Sequence, residues 1–503
     1  MKDEADRGVE TELKFAIDAA DLPALRAHRM FAGLADKRQL LEATYFDTPD
    51  NLLHEAGFSL RLRRSGDTVV QTLKGKRPGG SGLLHRDEHE RVVADGMLDE
   101  PALAEGLPPD LLHRVRGRLE PRFSMVVTRS AWTIEEGDGV VEVSTDEGRI
   151  IAGERSEPIA EVEFELLSGD PAALFALARS ALIAIPLHLQ PLAKSDRGYR
   201  LCGGKADSFT GTVLPLDPQA TAAAALRSLA EPLVRAIAVE RATVMTDSDA
   251  EAVHRLRVLL RKQRTLFDLA DAMLPGTLPP VLAATIREAF KRLGEARDLD
   301  ILQAVIPVNQ MEAADQLSTI ARARNAALLR ARTVLASRAF AEALLDLLAF
   351  AEGIGHLATD SAADVPAVTA AASALDERWR SIRDSRRPGR LRPAARHKLR
   401  IRAKWLRDAT EFLAGLFADA KSEKRAGDLM NDLRDLQGAL GALNDRDSAW
   451  RLGKVWLGKP LSASLGLKPD SRAEKGGVHD ADAAFRSLRK CRRYWRGAAP
   501  SAQ

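Results

Sequence analysis

The sequence predicts an α+β chain: eight antiparallel strands forming a sandwich or barrel with peripheral helices, then an all-α region of two similar helical bundles. Three observations carry that expectation. Over roughly the first 200 residues apolar and polar residues alternate with period two between turn signals, the mark of strands with two unlike faces. After Pro215 to Gln219 the alternation gives way to long Ala-, Leu- and Arg-rich stretches poor in Gly and Pro, which read as helices. The helical stretches also repeat one another.

A chain of 503 residues exceeds what one core can organise, since single cores stop growing near roughly 250–300 residues. The expected division is 1–205, a linker at 206–219, and 220–503. Hydrophobic content of 45% with 29% charged residues fits an ordinary globular protein. The formal net charge of +3 conceals a split: residues 1–218 carry 27 Lys+Arg against 37 Asp+Glu, net −10, and residues 219–503 carry 47 against 34, net +13. An acidic half can hold metal cations, whereas a basic half concentrates polyanions. Cys202 and Cys491 stand far apart and outside any zinc-binding spacing, so a reducing compartment without structural zinc is expected. No secretory h-region opens the chain, and the longest apolar stretch, Ala172 to Pro186, is shorter than the ~20 residues that span a bilayer. The expected location is cytoplasmic.

The strand segments are Val9 to Ile17, Gln39 to Phe46, Phe58 to Arg64, Thr68 to Lys76, Leu83 to Val93, Phe123 to Ile134, Val140 to Ile151 and Ile159 to Leu167. Helices fit between them at Asp21 to Arg29, Asp110 to Arg118 and Pro171 to Ala184, the last capped by Asp170. Glu10, Glu12 and Lys14 share one strand face because alternate residues are neighbours there, and two unpaired carboxylates so close call for a cation between them. A divalent metal fits those oxygens, leaving Lys14 for a phosphate. Ser59, Arg61 and Arg63 share a face, as do Thr72, Lys74 and Lys76, then Arg86, Glu88 and Glu90, then Glu142, Ser144 and Asp146, then Glu161, Glu163 and Glu165. An open sheet with a solvated charged face would explain any single strand. Recurrence over six strands instead favours a charged lumen, where cationic forks take phosphate oxygens and carboxylates take Mg²⁺.

These residues resemble the CYTH domain of the triphosphate tunnel metalloenzymes. The likeness covers about residues 8 to 202: E-x-E-x-K at Glu10 to Lys14, Tyr45-Phe46-Asp47-Thr48, L-R-x-R at Leu60 to Arg63, T-x-K at Thr72 to Lys74, R-x-E-x-E at Arg86 to Glu90, and E-x-E-x-E at Glu161 to Glu165. The resemblance implies an eight-stranded tunnel that hydrolyses the terminal phosphoanhydride of a triphosphate with Mg²⁺ or Mn²⁺. It assigns metal to Glu10, Glu12, Glu161 and Glu163, with Asp146 and Glu165 as further ligands, and phosphate to Lys14, Arg61, Arg63, Lys74, Arg86 and Arg129. Lys194 and Arg197 in Lys194-Ser195-Asp196-Arg197-Gly198-Tyr199 would cap the tunnel, although Ala193-Lys194-Ser195 departs from the family's Ser-Lys order. Catalysis would rest on Glu10, Glu12, Lys14, Glu88 and Glu90, the group that takes the water's proton being left open among Glu88, Glu90 and a lysine. No Ser-His-Asp set, nucleophilic cysteine or phosphate-binding P-loop argues for another route.

In the helical half, His254-Arg255-Leu256-Arg257-Val258 matches His397-Lys398-Leu399-Arg400-Ile401, and Leu293-Gly294 through Asp300 matches Leu440-Gly441 through Asp447. At helical spacing His254, Arg257, Arg261 and Arg264 form a basic stripe, repeated by His397, Arg400, Lys404 and Arg407. This half resembles the CHAD domain over about residues 220 to 500. That implies inorganic polyphosphate or another phosphorylated polyanion bound in a basic groove between the bundles. Five of the six tryptophans lie here, but no nucleic-acid-binding signature accompanies them, and they read as core. Lys459 to Asp480 reads as a loop. Fusion of the two domains favours inorganic triphosphate, split into pyrophosphate and phosphate. Thiamine triphosphate, a nucleoside triphosphate, cyclase chemistry and a non-catalytic polyphosphate adaptor are the alternatives.

Overall fold

A computed structural model of the chain describes residues 9–76, 85–94, 96–204, 216–306, 314–354, 365–417, 419–464, 467 and 471–496. It resolves into two compact units, Met1–Ser208 with Ala336–Gly355, and Phe209–Leu335 with His356–Gln503. The first unit thus takes in a piece of the half expected to be wholly separate.

That unit runs β1 (Val9–Ile17), α1 (Leu22–Arg26), β2 (Lys37–Asp47), α2 (Leu52–Glu55), β3 (Phe58–Ser65), β4 (Thr68–Lys76), β5 (His85–Val92), α3 (Pro109–Val115), β6 (Glu120–Glu136), β7 (Gly139–Ala152), β8 (Arg155–Ser168), α4 (Ala172–Ala184), β9 (Leu187–Leu189) and α5 (Lys194–Leu201). The strands pair in the order β5-β4-β3-β2-β6-β7-β8-β1-β9, and β1 also reaches β5. Two corrections follow for the eight-stranded tunnel. Among the described residues the sheet has nine strands, β9 pairing with Phe15–Ile17; its three residues are too few to show alternation. Among the described residues it is also not closed along its length, since β1 and β5 meet there only through Val9–Asp87, Glu10–Arg86 and Thr11–His85.

The register fixes which side chains point inward. Glu12, Lys14, Arg61, Thr72, Lys74, Glu88, Arg129, Asp146 and Glu163 fall on one face, because each occupies a register position of the same parity as its neighbour's. The opposite face is apolar and covered by helices: Leu60 and Leu73 pack with Leu53, Leu103, Leu111 and Val115 beneath α2 and α3. The inner face is not uniformly ionic. Ala43, Tyr45, Phe123, Met125, Val127, Ile150 and Ile159 lie on it and form a dry cluster with Tyr199 of α5. One end of the enclosure is therefore filled by core, and only the remainder is wet.

In the second unit α6 (Ala222–Thr246), α7 (Ala250–Met273), α8 (Pro280–Val305) and α9 (Ala314–Leu335) form one bundle. Next in the chain, α10 (Arg338–Ala351) belongs to the first unit, where it packs on α4 and β9 and pairs Asp346 with Arg179 at 2.7 Å. The second bundle comprises α11 (Ala367–Arg383), α12 (Pro393–Leu413), α13 (Ala420–Trp456), the short α14 (Lys459–Ser464) and α15 (Ser471–Lys490). The loop expected over Lys459 to Asp480 is thus largely helical. Pro460 falls in the first turn of α14, where its missing N–H costs nothing, and a Cβ on Gly477 would come 2.9 Å from Leu443, so that glycine permits close approach of α15 to α13 rather than a break. Trp379, Trp405 and Trp495 are buried as core residues, whereas Trp450 and Trp456 are only half-buried. Among the described residues no helix is long and apolar enough to cross a membrane.

Candidate active site

A cavity of about 300 Å³ occupies the wet part of the sheet's interior. It is lined by Glu12 and Lys14 from β1, Arg61 and Arg63 from β3, Thr72 and Lys74 from β4, Glu88 and Glu90 from β5, Arg129 from β6, Glu142 and Asp146 from β7, Glu163 and Glu165 from β8, and Lys194 from α5. Acid and base are interleaved. Glu163 is the hub, 2.5 Å from Arg129, 2.6 Å from Lys194 and 3.2 Å from Lys14. Lys194 also lies 2.8 Å from both Asp146 and Glu161, Lys14 lies 2.9 Å from Glu12, and Arg129 holds both oxygens of Asp146. On the opposite wall Lys74 pairs with Glu88 and Arg63 with Glu90, each at 3.2 Å, while Thr72 donates to Glu90 at 2.9 Å.

Burial and pairing compete for these charges. Burial would raise the carboxyls of Glu163 and Asp146, but the ammonium and guanidinium groups around them win, holding Asp146 below and Glu163 well below the usual carboxylate range. By the same balance burial would lower Lys14, Lys194 and Arg129, and the surrounding carboxylates instead hold all three above their ordinary values. Arg63 is lowered by burial and by the charge of Arg61, with Glu90 offsetting part of it.

α5 closes the wet space on the side of the dry cluster. Tyr199 donates to Asp47 at 2.8 Å and stacks on His54 with ring centroids 4.0 Å apart. Asp47, fully buried, also accepts from the backbone N–H groups of Thr48, Leu53 and His54. The Tyr45-Phe46-Asp47-Thr48 segment therefore fastens α2 and α5 to the sheet.

Of the residues singled out in sequence, twelve line the cavity: Glu12, Lys14, Arg61, Arg63, Lys74, Glu88, Glu90, Arg129, Asp146, Glu163, Glu165 and Lys194. Glu161 does not. It is fully buried beneath Lys194 and bonded to Arg197, which in turn binds Glu157 at 2.6 Å and the carbonyl of Pro158; both are anchors of α5 rather than cavity wall. Glu10 and Arg86 are backbone partners on β1 and β5, and their side chains lie outside what the structure describes. Glu142, Ser59 and Thr72 line the cavity too; their shared faces were the signal. Gln39 and Ser195 had none. Among the described residues, no three His, Cys, Asp or Glu side chains are gathered to hold a metal ion.

In the helical unit the two basic stripes meet. Arg261 of α7 pairs with Asp408 of α12 at 2.8 Å, and Lys262 pairs with Glu411 at 2.6 Å. Burial and the charges of Arg400, Arg261 and Arg407 push Lys404 down to about 8. Burial, then Arg297, lowers His254. His397 exchanges a 2.8 Å hydrogen bond with Asn444. Cations from both repeats are thus close enough to repel, which is what an anion would relieve.

The sheet unit thus presents a cavity lined by interleaved carboxylates and cations, and the helical unit presents two facing basic stripes. The sequence profile of the CYTH domain matches residues 8–199 and that of the CHAD domain residues 228–453, so the chain carries a CYTH domain followed by a C-terminal CHAD domain. The inorganic triphosphatase of Haemophilus influenzae is 33% identical over 195 residues, 38% of this chain and 54% of that protein; the chain thus matches about half the length of this curated relative. The CHAD domain from the plant Ricinus communis is 25% identical, with 55% of this chain and 97% of that one covered and a TM-score of 0.45. A Hippeastrum protein whose structure is described with a dominant triphosphatase activity is 18% identical, with 39% and 97% covered and a TM-score of 0.30.

Proposed function

We propose that the first domain hydrolyses inorganic triphosphate to pyrophosphate and phosphate with a divalent metal ion, Mg²⁺ or Mn²⁺, and that the helical half holds inorganic polyphosphate. The observation that carries the reading is the cavity itself, where Lys14, Arg61, Arg63, Lys74 and Arg129 stand against seven carboxylates on a single enclosed surface. Phosphoryl transfer asks mainly for positioning and charge neutralisation, and such a wall supplies both. Tyr45 is the one aromatic ring among the described lining residues, and it stacks on Phe123 with centroids 4.6 Å apart, so no aromatic face is offered to a nucleobase or thiazolium ring. That favours an inorganic substrate over the organic triphosphates.

The donor set fits a hard divalent cation in kind: Glu12, Asp146, Glu163 and Glu165 offer only carboxylate oxygens, and the surrounding cations hold Asp146 and Glu163 below the usual carboxylate range, with Glu10 as a further ligand. Such an ion supplies charge neutralisation at the phosphoryl oxygens. Lys14, Arg129 and Lys194, which neutralise those carboxylates, would then serve phosphate oxygens, as would Arg61, Arg63 and Lys74 from the opposite wall. Glu88 and Glu90 line the cavity outside the buried cluster, and one of them or a lysine would take a proton from an attacking water. The dry cluster beneath α5 keeps bulk water from that end.

The test is phosphate release by the full chain from tripolyphosphate, ATP and thiamine triphosphate, each with Mg²⁺, with Mn²⁺ and with EDTA. Tripolyphosphate should be cleaved fastest and EDTA should stop it. Glu12→Gln should lose at least about a hundredfold in turnover at an unchanged unfolding midpoint, by analogy with losses at metal-supporting positions. One observation favours a binding-only tunnel: its buried cations are already paired with carboxylates. Metal-dependent release from any of the three substrates would dismiss that alternative, and release from none would leave it standing.

A further inference from the structure

The repeat in the helical unit conceals a steric device. On α8, Phe290, Gly294 and Asp298 follow at intervals of four and so share one face. Arg257 of α7 lies along that face: its Nη1 donates to the Phe290 carbonyl at 2.7 Å, its guanidinium carbon stands 4.4 Å from the Phe290 ring centroid, and Asp298 is the carboxylate that offsets its charge. A Cβ on Gly294 would come 2.6 Å from Nη1. The equivalent stripe on α13 is Gln437, Gly441 and Asp445, and Arg400 of α12 lies over it, with Asp445 at 3.8 Å. There a Cβ on Gly441 would meet the nearest Arg400 atom at 3.7 Å, an ordinary contact, and Arg400 Nε is buried without a hydrogen bond.

Glycine inside a helix is less favourable than alanine. Gly294 meets that cost at the one point where the arginine crosses. We propose that Gly294 is a positioning residue for polyanion binding: the notch it leaves in α8 seats the Arg257 guanidinium at the basic stripe, and the matching notch at Gly441 seats Arg400 loosely enough to tolerate a methyl group. The inference rests on the reading of the helical half as a polyanion site. Arg257 is the seated group, and the notch acts only through it.

The experiment measures binding of a linear inorganic polyphosphate to the full chain over a range of salt concentrations, alongside thermal unfolding. Gly294→Ala should weaken binding about tenfold and reduce the slope of log affinity against log salt by about one, as losing one phosphate contact does, while the unfolding midpoint stays level or rises with the better helix former. Gly441→Ala should stay within about twofold of the native chain. In an Arg257→Ala background Gly294→Ala should add nothing, because its target is gone. Asp298→Asn, which removes a competing anion and leaves the notch, should bind equally or more tightly. Should Gly294→Ala bind normally while Arg257→Ala is weak, or should Asp298→Asn weaken binding, the notch is not what seats the arginine and the inference fails alone. Unchanged binding in Arg257→Ala would remove the polyanion role of this stripe, and the inference with it.

Discussion

Lys194 shows what a single buried ammonium does here. It lies within 2.8 Å of three carboxylates, Asp146, Glu161 and Glu163, none of which is more than one-tenth exposed. Removing one partner of a buried pair leaves uncompensated charge, so Lys194→Met should cost about 3–5 kcal/mol at neutral pH, read by urea unfolding. Added Mg²⁺ should return more stability to this variant than to the native chain, because metal then no longer competes with the Lys194 ammonium; an equal effect on both would show that these carboxylates do not hold the ion. The sign with pH is set by the carboxyls. Their folded values lie below the unfolded ones, so the stability they contribute is present above roughly pH 4 and is lost as pH falls through the folded values. Glu12, Lys14 and Glu163 were legible because alternation alone assigns a face. Glu161 shares their parity yet is buried beneath Lys194 and Arg197. Parity tells which way a side chain points and nothing about what another element lays over it.

At the scale of elements, α5 decides how much of the sheet's interior is wet. Its entry depends on Gly198, where a Cβ would stand 2.1 Å from the Phe123 ring. Phe123 is itself fixed between Tyr45 and Tyr199, at centroid distances of 4.6 and 5.2 Å, so the ring cannot retreat. Gly198→Ala should therefore cost about 3 kcal/mol as overpacking, and faster hydrogen exchange should appear in α5 before it appears in β7 and β8. A variant with native exchange in α5 would show that the helix can be displaced at little cost. The closing segment was readable as a unit, Lys194 to Tyr199, but not as a plug, because the apolar inner patch it meets is assembled from β2, β6, β7 and β8 together. β9 escaped for a different reason: three residues cannot display a period. α14 and α15 escaped because Pro460 and Gly477 read as breakers, whereas Pro460 sits in the first turn of α14 and Gly477 lies where a Cβ would crowd Leu443.

For the whole molecule, the charge split at Pro218 tracked the change from sheet to bundle, but chain order and compact units part company at α10. This helix follows α9 after only Ala336 and Ser337, yet Phe340, Leu345 and Leu348 are buried in a helix whose contacts run to α4 and β9. β9 pairs with Phe15–Ile17, and Lys14, the residue just before that stretch of β1, lines the cavity. A fragment ending at the linker would keep every expected catalytic residue and still lack the cover over α4 and β9. We therefore expect residues 1–208 alone to unfold at a lower midpoint than the same unit within the full chain and to expose apolar surface, read by dye binding. Adding a peptide of residues 336–355 should raise that midpoint with the logarithm of its concentration once above its dissociation constant, since it binds only the folded fragment. Tripolyphosphate cleavage should recover along with the midpoint, because the strand that carries Glu12 and Lys14 is the one β9 and α10 support. A fragment as stable and active as the full chain, indifferent to the peptide, would mean that α10 merely rests on the first unit and that the linker is a true domain boundary.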